Sequence, residues 1–264
     1  MDGAVEGENQ MRKIQIGKKV SLGNKLLRRW SEFEYLIKNE WRFTALRRTS
    51  NQTSSWRYEQ LLKIIFEYSH YYKKTIEKDF TIYRARDRKC KSFTNFYPPP
   101  VKNTKNQRLS PIGIPMFYGA LDDKTCIAEL RPTIGDIISV CTFQTTRAMV
   151  VLDFTMKRNS KVKYKKWILN FFNEFSKIIS KPIGIEDSDV EYVPTQAFAE
   201  FIRSEGNYQG IIYPSAQRKG GQNIVLFSEA PFGKSQISAS TIFLLPTKIS
   251  HHRIRKISYE SDPG

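Results

Sequence analysis

The sequence predicts a mixed α+β domain behind a helical N-terminal piece. Three observations predict it. From Lys25 to about residue 78 the apolar residues recur at intervals of three and four, the period of an amphipathic helix. At Phe80 the texture changes to alternating runs rich in β-branched and aromatic residues, the period of a half-buried strand. Beyond that point helical and strand patterns interleave without an internal repeat.

Taken in order, residues 1–24 are polar, dotted with glycine and without period, and read as a flexible N-terminus. Residues 25–79 read as a helical extension. Its first helix runs from Lys25 to about Arg48, with Leu26, Leu27, Trp30, Phe33, Leu36, Ile37 and Trp41 as its apolar stripe. The run Asn51–Ser55 is a break with good N-cap residues. A second helix is expected from Trp56 to about Lys78, which makes the pair an N-terminal helical hairpin. Residues 80–260 read as the main domain. Its expected elements are a strand at Phe80–Arg86, a proline-bearing loop (Pro98–Pro100), a strand at Ile114–Leu121 and a short helix at Asp122–Arg131. A strand pair follows across a tight turn, Ile137–Gln144 and Arg147–Phe154. A basic helix covers Lys157–Lys181, and another covers Thr195–Glu205 with Gly206 as its cap. Two buried strands, GIIYPS from Gly210 and NIVLFS from Asn223, flank the Gly-rich turn that contains Gly220–Gly221. An alternating pair, Ser240–Ile249 and His252–Tyr259, closes the chain.

Composition narrows the function classes. The 264 residues are 40% hydrophobic and 13% aromatic, which is enough to fill a core and excludes a disordered chain. The formal net charge is +17, which points to an anionic partner without naming it. Cys90, Cys126 and Cys141 are too few for a disulfide framework and match no zinc spacing. They fit a reducing cytoplasm. The acidic, polar start MDGAVEGENQ is no secretory signal. The longest apolar runs, such as Ala148–Phe154, are far short of the ~20 residues that span a bilayer. A cytoplasmic protein with no membrane association is the expectation. His70, His251 and His252 do not cluster with acids or cysteines, so neither a His-based triad nor a metal site is expected.

Several polar residues stand in apolar surroundings. Arg84 and Arg86 alternate within one strand and so share a face; two arginines there are costly to bury without an anion. Glu129 sits between Ala128 and Leu130 in a helix otherwise made to pack. Tyr118 lies inside an apolar strand, and Ser215 ends one. Taken singly, each has an ordinary explanation: a solvated face, a surface glutamate, a core tyrosine, a turn serine.

Together they resemble a known family. The run YRAR (83–86), then QRLSPIGIPMFYGALDDKTCIAELRP (107–132), VVLDF (150–154) and YVPTQAFAEFIRSEGNYQGIIYPSAQRKGGQNIVLF (192–227) are similar to the RES domain family. The carrying features occur in order. They are an R-x-R strand, Arg108 ten residues before Tyr118, Tyr118 eleven before Glu129, and a distal Y-x-S followed by the G-x-N that ends in Asn223. The resemblance covers about half the chain, Phe80 to Phe227. It implies a mixed β core similar to the ADP-ribosyltransferase fold and an NAD⁺-consuming enzyme. Family members degrade NAD⁺ by phosphorolysis or hydrolysis, some transfer ADP-ribose to protein, and several are toxins of toxin–antitoxin pairs. By position it implies Arg84, Glu129 and Ser215 as catalytic residues. Arg84, Arg86, Arg108, Tyr118, Ser215 and Asn223 would bind the dinucleotide. No cofactor is implied beyond NAD⁺ as substrate, with inorganic phosphate as a co-substrate if the reaction is phosphorolysis. The long helical N-terminus and the basic segment at Lys157–Lys181 depart from the short toxin members.

These residue types suit the chemistry. Guanidinium groups grip a pyrophosphate through paired, charge-assisted hydrogen bonds. Nicotinamide leaves a cation as a neutral molecule, so no general acid is needed and one carboxylate suffices, where ordinary glycosidases use two. Two rival readings stay open. One keeps the site but modifies a protein with ADP-ribose. The other is a nucleic-acid-binding protein, motivated by basic stretches at Lys18–Arg29, Arg42–Arg48 and Lys157–Lys166, which carry no recognised nucleic-acid motif. The same stretches could dock an acidic, antitoxin-like protein.

Overall fold

A computed structural model of the chain describes residues 22–47, 57–156, 166–184, 188–205, 208–227 and 243–257. The expected flexible N-terminus up to residue 21, the break at Asn51–Ser55, the first part of the basic helix and the Gly206 cap lie outside the described residues.

Helix α1 (Leu22–Asn39) buries Leu26, Trp30, Phe33 and Ile37, a stripe spaced at four, three and four. It stops short of the expected Arg48. The amides of Glu40 and Trp41 both close on the Leu36 carbonyl, and Trp41, expected on the stripe, is 43% exposed. Helix α2 (Tyr58–Ser69) also ends early. A 3-10 turn at His70–Tyr72 leads into strand β1 (Lys73–Ile76). Tyr72 and Ile76 are both buried, so four-residue spacing of apolar residues persists while the backbone changes from helix to strand. Local period alone could not separate the two.

The remaining elements are β2 (Thr81–Arg86), β3 (Phe117–Ala120), α3 (Asp123–Ala128), β4 (Ile137–Thr145), β5 (Met149–Asp153), α4 (Lys166–Ser180), α5 (Ser188–Glu191), α6 (Val193–Ser204), β6 (Gly210–Pro214), β7 (Gln222–Leu226) and β8 (Leu244–Arg253). The fold is mixed α+β, as the sequence predicts. The eight strands run in the order β1-β5-β6-β7-β3-β2-β4-β8. Among the described residues only β5 and β6 pair in parallel. The expected closing strand pair is one strand, β8, which pairs with β4 along its length.

The expected β4–β5 hairpin is also corrected, because the two strands are not neighbours. Five strand places at ~4.8 Å each put them about 24 Å apart in a flat sheet. The link from Thr145 to Met149 spans at most about 14 Å. The sheet must therefore fold back on itself. The registers show how. Lys73↔Leu152 and Ile76↔Met149 pair β1 with β5, while Thr81↔Gln144 and Arg86↔Ser139 pair β2 with β4. One antiparallel register runs through both pairs. Together they form a single two-stranded ribbon, bent where Glu77–Phe80 lies beside Thr145–Ala148.

Strands that bend from one sheet layer into another make corners of this kind. Here Thr145 fastens the corner: its Oγ1 donates to the Glu77 carbonyl at 2.7 Å and accepts from the Phe80 amide at 2.9 Å. Asp79, at φ 65°, supplies the left-handed residue of the turn.

Inside the fold-back, Ile82, Phe117, Phe143, Val151, Ile212 and Leu226 form one apolar core. A larger core lies on the other face of β5, β6 and β7, where Leu152, Ile211 and Val225 meet the helices. Trp30 of α1 packs edge-on against Phe175 of α4 at 4.8 Å between ring centroids. The N-terminal helices thus share a core with the sheet that carries the candidate site.

Candidate active site

Strands β2 and β3 share a single registered pair, Tyr83↔Ala120. They approach closely there because of Gly119, where a Cβ would lie 2.8 Å from the Tyr83 carbonyl oxygen and from Ile82 Cγ2. Around this junction lies a cavity of about 450 Å³. That size is within the range of small-ligand sites.

The cavity gathers residues distant in sequence. β2 supplies Arg84 and Arg86, and β3 supplies Tyr118. Glu129 caps the C-terminal end of α3, β7 supplies Asn223, and Arg108 comes from the loop before β3. Six of the seven residues singled out by the sequence therefore line one space. Ser215 is not among the lining residues. It lies directly behind Glu129, to whose Oε1 its hydroxyl donates at 2.6 Å. Asn223 Nδ2 donates to the same oxygen at 2.7 Å. Two donors on one oxygen fix the carboxylate's orientation, and Oε2 makes no hydrogen bond to the described residues.

Arg84 is the least ordinary residue of the site. It is 5% exposed, and neither Nε nor Nη1 has a hydrogen-bond partner among the described residues. Its guanidinium lies 5.0 Å from the centroid of the Phe117 ring. Burial, and then the like charge of Arg86, lower its pKa well below the ordinary arginine value. A buried guanidinium with unused donors beside a cavity is a group waiting for an anion. Arg86 differs. Its Nε and Nη2 donate to the carbonyls of Asn95 and Tyr97, and Nη1 to that of Ala85, so it secures the loop beside the cavity. Arg108 Nη1 donates to the Ile179 carbonyl at 2.7 Å, and its guanidinium lies over the Tyr192 ring. The Tyr118 hydroxyl meets the Leu109 amide and Ser110 Oγ, both at 3.0 Å. Its pKa is pushed up to about 12 by burial.

The structure adds residues that the sequence reading missed. Arg131, Tyr213 and Gln217 line the same cavity. Arg131 follows Glu129 by two residues at φ 48°; with the Gln217 amide assigned so that its oxygen, not its nitrogen, faces Arg131, that oxygen accepts from Nη2 and Nε at 3.1 and 3.2 Å. The signal was present, since Arg131 ends the quoted ELR and Tyr213 begins the quoted Y-x-S. Neither residue type stands out in a loop or an apolar strand. With Arg131 counted, four arginines face one carboxylate in the cavity lining. No cluster of three or more metal-ligating side chains occurs among the described residues. The three cysteines are buried free thiols.

The cavity thus sets four arginines around a single fixed carboxylate. Comparison with known families then gives the relationship. The RES domain family matches residues 81–246, well over half of the chain, and the protein belongs to that family. The family is associated in general with toxins that act on NAD⁺. No curated protein and no solved structure matches the chain. No described helix is long and apolar enough to cross a membrane.

Proposed function

We propose that the protein consumes NAD⁺ by cleaving the bond between nicotinamide and ribose, with phosphate or water as the acceptor. The observation that carries this reading is Arg84, whose two buried, unpartnered N–H groups share a cavity with the fixed carboxylate of Glu129. The pyrophosphate of a dinucleotide satisfies such donors, and Arg108 adds a second guanidinium with donors to spare. The glycosidic bond then breaks heterolytically. Its electron pair goes to the pyridinium nitrogen, so nicotinamide leaves neutral and positive charge develops on the ribose. The Glu129 carboxylate, held by Ser215 and Asn223, stabilises that charge. In this reading Ser215 acts by orienting Glu129.

The test is incubation of the purified protein with NAD⁺, with and without inorganic phosphate, and identification of products by mass. ADP-ribose phosphate marks phosphorolysis, ADP-ribose marks hydrolysis, and an adduct on protein marks transfer. Glu129→Gln is expected to slow turnover by about 10²–10³-fold while the protein still melts cooperatively. Intact NAD⁺ under both conditions sinks the proposal.

A further inference from the structure

Glu129 stands on a helix of only six residues, α3, too short to hold its own shape in water. Something else must fix it. The turn Ser215–Gly221, between β6 and β7, touches it at four successive points. At the start of α3, Asp122 caps the helix by accepting from the Thr125 amide at 2.9 Å. Arg218 Nη1 donates to both Asp122 oxygens at 2.9 and 3.0 Å and to Thr125 Oγ1 at 2.8 Å. Burial pulls the Asp122 carboxyl upward, but the Thr125 bonds and the Arg218 charge outweigh it and hold the carboxyl below its ordinary value.

At the far end of α3, Ser215 holds Glu129 and Gln217 holds Arg131. The turn is itself closed by Ser215 Oγ, which accepts from the amides of Gln217 and Arg218, and by the Ser215 amide, which donates to the Gly221 carbonyl. The turn also sits flush against α3. A Cβ on Gly221 would fall 2.5 Å from Thr125 Oγ1.

We infer that Arg218 is a positioning residue. Through Asp122 it locks α3 to the Ser215–Gly221 turn, and so sets where the Glu129 carboxylate stands relative to Arg84. The inference rests on the proposed NAD⁺ reaction for its activity readout, but the clamp can be observed without it. One nitrogen of Arg218 makes all three contacts, so a lysine ammonium can replace it, as it could not in a two-nitrogen fork. Arg218 and Asp122 are both partly solvated, so losing the pair leaves no buried charge and the fold should survive.

The experiment compares Arg218→Met and Arg218→Lys with the wild type, each also in a Glu129→Gln background. Arg218→Met is expected to lower kcat at least tenfold with KM within twofold, and Arg218→Lys to restore most of it. In the Glu129→Gln background Arg218→Met should cause no further loss, because both changes act through the same carboxylate. Amide hydrogen exchange at Thr125, Glu129 and Gln217 should accelerate about tenfold in Arg218→Met, whether or not NAD⁺ is consumed. Unchanged exchange and unchanged kcat would overturn the inference. So would an equal loss of activity in both backgrounds, which marks a general structural effect. If the wild type leaves NAD⁺ intact, the reaction fails, and the exchange result alone decides the clamp.

Discussion

At the scale of single residues, Arg84 separates what binding needs from what folding needs. Its buried guanidinium has two donors without partners, a state that costs about 1–3 kcal/mol for a group of this kind. Arg84→Met keeps an apolar stem against the Phe117 ring and removes the unpaired donors. The ligand-free protein should therefore gain about 1–3 kcal/mol of stability while losing its grip on NAD⁺. Thermal unfolding and calorimetric titration of the same variant check the two halves. A variant that is both inactive and less stable would assign Arg84 to the core. The sequence pointed to this residue through a simple incongruity, an arginine in a strand of β-formers. It could not show that neighbouring Arg86 would spend its donors on the carbonyls of Asn95 and Tyr97. Those carbonyls belong to a loop whose path no local pattern specifies.

Among the elements, the bent ribbon decides the architecture and was the feature least legible in the sequence. β2 declared itself by alternation, α3 by its helix-start residues, β6 and β7 as short apolar runs on either side of a Gly-rich turn, and α1 by its stripe. The run after Thr145 also declared itself as a strand, but its partner did not. Three intervening residues usually mean a hairpin, and here they turn a corner instead. The difference lies in long-range contacts, above all Thr145 Oγ1 bridging Glu77 and Phe80. Thr145 is 1% exposed. Thr145→Val keeps the shape and takes the side-chain partner from a partly buried carbonyl and a partly buried amide, so it should cost about 1–2 kcal/mol. A shift of the urea midpoint with an unchanged slope would show it. A shift near zero would mean that the corner stands without its threonine.

For the whole molecule, the helical N-terminus belongs to the core that backs the site. Trp30 is fully buried and touches Phe33, Phe175 and Phe198, so one side chain joins α1, α4 and α6. Trp30→Ala should destabilise the protein by about 3–5 kcal/mol. The loss should fall on a single cooperative transition, with NAD⁺ turnover and tertiary structure melting together. Two separated transitions would show that the helices fold as an independent unit. The net charge of +17 also looks different at this scale. Four arginines of the cavity lining account for a small part of it, and three of those four, Arg86, Arg108 and Arg131, already hold backbone carbonyls.

The bent ribbon also governs the order in which the chain can fold. Its arms are Lys73–Arg86 and Ser139–Leu152, and residues 87–138 must be looped out before they can meet. Closing so long a loop costs entropy before any pairing offsets it, which makes for slow folding. Arg108, Tyr118 and Glu129 all lie within that loop, and Arg84 lies on the first arm. The ribbon that frames Arg84 and Glu129 therefore closes only after both of its arms have been synthesised, and in the proposed reaction a nascent chain without the second arm is expected to be inactive.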